Sequence, residues 1–373
     1  MPRVLVLAGT VDGLFVLESD GRRARWRRRG PLLRGVSVTH CAWDGKSRTL
    51  YATTGNEGVL SSRTFGRSWT PLNDGLPIRK VWTVAVNPRE PRELWVGTHF
   101  SYLFKSENRG KSWSLVPGYL NAPGKEDRWG DWGFGTIGNS LHGIHFDPQD
   151  PRRMIVVSST NHGALRTEDG GETWEYARTG VVESCPDADR SLQGKEVPAE
   201  ERARTVEAHL SQVHSCTHRI GISPAASSTV YRQQHCGVYR SDDFGRSWTD
   251  ISAGLPDRHG FPLAVHPRER GTVYVVPAYQ GRCKKHNSCI QGALEVYRSR
   301  TGGARWERLG EGLPRKVHTV VLRHGMDADR LQPAGIYFGT TAGEIYGSAD
   351  EGDTWRLLAR GLPRVQGIVA VVA

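Results

Sequence analysis

The chain has 373 residues, 50 Lys and Arg against 39 Asp and Glu, a net charge of +11, and 37% hydrophobic residues. No stretch approaches the ~20 apolar residues of a membrane-spanning helix, and MPRVLVLAGTVDG offers an apolar run too short for a secretory leader, so a soluble, cytoplasmic protein with no membrane partner is expected. The positive charge is mostly Arg scattered along the whole chain without an interleaved aromatic platform, which argues against a nucleic-acid partner, and the six Cys are expected as free thiols or metal ligands rather than disulfides.

In chain order, Val4–Ala8 reads as a first strand, and an octapeptide then recurs. A Ser or Thr stands seven residues before a Trp at Ser19/Trp26, Ser62/Trp69, Ser106/Trp113, Thr167/Trp174, Ser241/Trp248, Ser299/Trp306 and Ser348/Trp355. The fifth position is Gly in six copies and Arg23 in the first; the third is Asp169, Asp243 or Asp350 where the motif is fullest, as in SDDFGRSW. Such an Asp accepts backbone N–H groups one or two residues on, the Gly supplies positive φ, and the Trp begins the next strand as an apolar filler between sheets. The octapeptide is thus read as a stapled corner and not as seven catalytic aspartates.

One unit, KVWTVAVNPREPRELWVGTHFSYLFKSENRGKSWSLV, shows the whole module: strand A over Val81–Val86, B over Leu94–Thr98, C over Tyr102–Lys105, the octapeptide, then D over Ser112–Val116. The remaining A strands are expected at Val38–Trp43, His142–Phe146, His218–Ile222, Phe261–Val265, His318–Leu322 and Gln366–Val371. The N-terminal strand is a B strand and the C-terminal one an A strand, so the tail VQGIVAVVA should complete the first sheet and close a ring. The expectation is one all-β domain over residues 1–373, a seven-bladed β-propeller.

The pattern S-x-D-x-G-x-x-W resembles the Asp-box, or bacterial neuraminidase repeat, of sialidases, xyloglucan-cleaving glycosidases, sortilin-type receptors and photosystem II assembly propellers. The resemblance implies the propeller fold and leaves activity open. Asp-box sialidases have six blades, with an Arg triad, a Tyr–Glu pair and an acid Asp, and that set has no residue-by-residue counterpart here.

Trp-to-Trp spacings of 43, 44, 61, 74, 58 and 49 place surplus sequence in the middle units. It falls at 117–140, 178–215 and 278–293, in D–A and B–C connections that share one face, called the top, opposite the octapeptide turns. The first positions of the A strands, Thr39, Trp82, His142, His218, Phe261, His318 and Gln366, are expected to ring the top mouth of the central channel. His142, His218 and His318 are the expected ligands of a transition metal such as Zn, Cu or Fe. His99, His162 and His235 on B–C turns, Glu207, His209 and His214 in the second insertion, and Cys216 and Cys236 gather nearby. Of these, Glu207, His214 and His235 are the expected catalytic groups, while Trp82, Trp129, Trp132, Phe261 and Gln366 would hold a small-molecule substrate.

The leading expectation is therefore a metal-dependent enzyme acting on a small organic substrate. A metal-free pocket with His as acid and base is one alternative, and a scaffold gripping a protein partner is another. In a third, a glycoside hydrolase, Trp129, Trp132 and Phe134 stack on sugar between Asp127 and Asp131. The segment Cys283–Cys289 is a disulfide, a metal clip or plain loop, and Glu201–Leu210 is read as a short helix.

Overall fold

The computed structural model describes residues 2–123, 139–159, 163–181, 216–278 and 290–373. Seven four-stranded antiparallel sheets form the blades of a propeller. Blade 3 is Val81–Val86, Leu94–Thr98, Leu103–Ser106 and Ser114–Leu115, in the expected A-B-C-D order. The other inner strands are Val38–Asp44 (blade 2), Leu141–Phe146 (blade 4), Thr217–Ile222 (blade 5), Gly260–Val265 (blade 6), Met326–Ala328 (blade 7) and Val365–Val372 (blade 1). The last pairs with Arg3–Thr10 from Val4↔Val372 to Thr10↔Val365, closing the ring as expected. The apolar core lies in the seams: Tyr51 and Val59 of blade 2 pack with Val84, Val96 and Phe104 of blade 3, and Trp95 of blade 3 packs with Ile144, Met154 and Leu165 of blade 4.

The octapeptide is a stapled corner, but its Asp accepts the N–H four residues on rather than one or two. Ser241 Oγ accepts the Gly245 N–H at 2.7 Å and donates to Asp243 Oδ1 at 2.7 Å, while Asp243 accepts the Ser247 N–H at 2.9 Å. These donors hold the Asp243 carboxyl down at about 2. Two successive residues take positive φ, as in Phe65 and Gly66 (53° and 87°), and the degenerate first copy puts Arg23 there at 57°. A second repeat escaped the sequence reading. In DGLP (74–77) and EGLP (311–314), the Asp74 and Glu311 carbonyls accept the backbone N–H of Trp113 and Trp355 in the following blade, both at 2.9 Å. The segment Arg178–Val181 does the same through Thr179 O to Trp248, at 2.9 Å.

One strand assignment fails. His318 lies in Val317–Thr319, which pairs with Ile290–Gly292 from the blade 6 B–C connection, and the blade 7 inner strand begins at Met326. VHTVVL carries the same apolar alternation as VWTVAV, but a strand from the insertion takes its hydrogen bonds. Glu201–Leu210 and Cys283–Cys289 lie outside the described residues. Cys41 and Cys216 are free thiols, and the Cys236 sulfur lies 3.9 Å from His235 Nδ1.

Candidate functional site

The inner strands enter the channel through β-bulges. The register slips between Val38 and His40, Val81 and Thr83, Leu141 and Gly143, Thr217 and Arg219, Gly260 and Leu263, and at Gly367 against Gly9. The extra residues are Thr39, Trp82, His142, His218, Phe261 (with Pro262) and Gln366, six of the seven positions expected at the mouth. A bulge re-aims its side chain, and here most of these side chains reach across the seam to the next blade. Thr39 Oγ1 donates to Val81 O at 2.7 Å, His218 Nδ1 to Gly260 O at 2.5 Å and Gln366 Nε2 to Val38 O at 3.0 Å. His142 has the Thr217 carbonyl as its counterpart. So Gln366, expected to hold substrate, spends its amide on the seam, whereas His218 keeps Nε2 as a hydrogen-bond acceptor. Burial holds the His142 and His218 imidazoles well below their ordinary pKa, helped by the Arg323 guanidinium, so both are neutral.

Blade 7 departs from this scheme. Gly339 N–H bonds Gly325 O and Thr341 N–H bonds Val320 O, so Leu322, Arg323 and His324 fill the place that one bulged residue fills elsewhere. The longer excursion carries His324 across the channel. Arg219 of blade 5 donates from Nη1 to His324 Nδ1 at 2.6 Å, and His324 Nε2 lies 2.5 Å from the His142 carbonyl of blade 4. A guanidinium cannot accept, so Nδ1 accepts, Nε2 carries the proton, and both nitrogens are committed. The His40 ring of blade 2 lies 4.5 Å from that of His324. His145 and Asp327 complete this hub, with the Asp327 oxygens taken by the Ala328 and Ala370 N–H groups at 2.9 Å each. His40, His145 and His324 are kept neutral, chiefly by burial, with His40 pulled down to about 3.

Above the hub, at the seam of blades 5 and 6, three imidazoles meet. Ring centroids are 5.9 Å apart for His218 and His235, 5.4 Å for His218 and His259, and 4.5 Å for His235 and His259. His218 stacks on Phe261 at 4.6 Å, and the Arg323 guanidinium lies 5.1 Å from the same ring. His235, His218 and Phe261, which the sequence placed at the mouth, are thus brought together. His259, His324, His40, Arg219 and Arg323 were missed. Arg323 and His324 depend on the length of an irregular connection, but His259 immediately precedes the Gly-Phe-Pro that opens the blade 6 inner strand and was within reach.

The metal set His142, His218 and His318 is not assembled. His318 is exposed on Val317–Thr319, and one nitrogen of His218 is bound to a carbonyl. Among the described residues, the metal-ligating groups that come within 4.8 Å of one another are His266, Glu269 and Glu351, on the opposite face. There His266 Nδ1 caps a turn by accepting the Arg268 and Glu269 N–H groups, and Arg300 reaches Glu351 at 3.1 Å as the cation already present. His99 lies at its B–C turn beside Ser140, with Nδ1 3.3 Å from the hydroxyl. Glu207, His214, Trp129, Trp132, His162, His209, Asp127, Asp131 and Phe134 lie outside the described residues.

The BNR-Asp box repeat family matches residues 103–115 and 238–251. The probable oligoxyloglucan-reducing end-specific xyloglucanase of Neosartorya fischeri is 34% identical over 92 residues, 25% of this chain and 10% of that protein. Among solved structures, an ancestral GH74 enzyme matches with TM-score 0.59 at 19% identity, over 83% of this chain and 36% of its own. YCF48 bound to a D1 peptide matches with TM-score 0.51 at 15% identity, over 89% and 90%. At these identities the structural likeness speaks for the fold alone, and the chain spans a small part of the xyloglucanase it matches.

Proposed function

We propose that this Asp-box propeller binds an anionic, hydroxyl-rich small molecule, a sugar acid or phosphorylated sugar, at its top mouth. The observation that carries the reading is a set of buried polar atoms at the mouth with no acceptor or donor among the described residues: Trp82 Nε1, Arg323 Nε and His142 Nε2. A buried N–H left unpaired costs about 1–3 kcal/mol, so such groups are held ready for a ligand or water. Trp82 and Arg323 offer donors suited to an anion, and the neutral His142 and His218 offer lone pairs suited to hydroxyl groups. Among the described residues, the cations Arg219, Arg323 and Lys80 stand against the acids Asp327 and Asp257. Asp327 is taken by two backbone N–H groups, and Asp257 accepts the His259 N–H at 2.9 Å.

The xyloglucanase likeness supports a carbohydrate, while the surplus of guanidinium favours a charged one. A protein-gripping scaffold is less well supported. The large apolar side chains exposed among the described residues, Val11, Phe100, Leu115 and Leu357, are scattered over three blades and form no docking face.

Calorimetric titration with glucuronate, sialate and glucose 6-phosphate, beside glucose and a xyloglucan oligosaccharide, tests the reading. Saturable binding is expected for at least one anion, about tenfold or more tighter than for the neutral sugars. Arg323→Ala should remove that advantage at unchanged Tm, since a charged hydrogen bond contributes about 1.5–3 kcal/mol. Neutral sugars that bind as tightly, or no saturable binding by any anion, would overturn it.

A further inference from the structure

The hub leaves a second recess at the other end of the channel, on the face of the octapeptide turns. Its origin lies in one level of the inner strands, the residues registered against Trp95, Ile155, Tyr231, Tyr274 and Tyr337. At this level blades 3, 5 and 6 carry the small residues Ala85, Gly221 and Ala264, while blades 4 and 7 carry His145 and Asp327. The result is a cavity of about 340 Å³. Val86, Phe146, Ile222 and Val265 wall it, Arg330 stands exposed at its rim, and Arg219, His145 and Asp327 lie at its inner end. Its size is at the small end of the ~300–1,000 Å³ range of ligand pockets.

The inner end is polar and incompletely paired. Arg219 Nε and His145 Nε2 are buried and meet no partner among the described residues. Arg219 is deep enough that burial lowers even its guanidinium pKa. Asp327, whose oxygens each accept one backbone N–H, is the acid that acts on Arg219, so with Arg219 and Arg330 the cavity lining carries two cations against one acid. A guanidinium lining an otherwise largely apolar-walled cavity matches the oxygen of a carboxylate whose body is apolar. Arg330 at the rim adds attraction of the same sign.

We infer that this cavity is a second binding site, separate from the top mouth, for a small amphiphilic monocarboxylate, its head group against Arg219 and its apolar body along Val86, Phe146, Ile222 and Val265. The inference stands on cavity shape and unpaired donors and does not depend on the sugar-acid reading.

Octanoate and 1-octanol, equal in chain length and differing in charge, are the probes, titrated calorimetrically into the full chain. Octanoate should bind saturably and about tenfold or more tighter than octanol. Ala85→Leu, which adds bulk to the blade 3 wall of the cavity and leaves Arg219 in the chain, should abolish octanoate binding while Tm stays near that of the parent. Arg323→Ala, at the other mouth, should leave it intact. The proposal is overturned if octanoate fails to bind, if octanol binds equally, or if a folded Ala85→Leu protein binds octanoate as before. It is equally overturned if Arg323→Ala removes binding, because the octanoate would then be at the top mouth.

Discussion

Arg23 shows how one residue can break a local rule for a distant reason. It occupies the glycine position of the first octapeptide at φ 57°, where glycine would relieve about 1 kcal/mol of backbone strain. Its guanidinium, however, reaches Asp329 of blade 7 at 3.1 Å, and the two side chains are 5% and 0% exposed. It also donates to the Pro333 and Ala349 carbonyls at 3.0 and 3.1 Å. Removing one partner of a buried pair costs about 3–5 kcal/mol, which exceeds the strain relieved. Arg23→Gly is therefore expected to destabilise the protein by about 3 kcal/mol, read as a lowered urea midpoint, although it restores the consensus; a raised midpoint would contradict the pairing. Read from sequence, Arg23 was merely a degenerate copy, because its partner lies 306 residues away.

At the level of elements, the boxes, the strand order and the seven units were legible because each leaves a periodic mark. The Gly-Leu-Pro segments at 75–77 and 312–314 leave one too, but its meaning is a hydrogen bond to the neighbouring blade, which no single unit displays. Gly75 adopts φ +72°, and a Cβ there would stand 2.2 Å from the Trp113 carbonyl. Gly75→Ala should thus cost about 2 kcal/mol or more in thermal or chemical unfolding, whereas Gly35→Ala, whose Cβ would meet no atom within 4 Å, bears only the φ penalty. Equal losses would remove the seam contact from the explanation. The bulged residues were found as a ring but read as lining. Their position follows from alternation, whereas the carbonyl they clasp belongs to a different blade. His318 was misplaced for a related reason: apolar alternation specifies a strand without specifying its neighbour.

Across the whole molecule, blades 2, 4, 5 and 7 meet at the hub. The groups acting on His324 there are His40, Arg219 and His142, with Arg323 acting on His142, Asp327 on Arg219, and His145 beside His40, Arg219 and His142. The folded pKa values of His40, His142, His145 and His324 lie below the ordinary value, so their stabilisation is complete above about pH 6.5 and is lost as the pH falls below it. With His40 near 3, that imidazole alone withdraws about 2 kcal/mol between pH 7 and pH 5, and His142, His145 and His324 act in the same direction. Tm should fall steeply over that interval, and His40→Gln should flatten the slope; an unchanged slope would show that this ring does not titrate on unfolding. The two added residues in blade 7 have one more effect. They carry His324 across the bore, where Arg219 bonds it from Nη1 while also lining the recess below. Under the two-site proposal, an occupant below would share with the upper floor the one guanidinium that bonds His324.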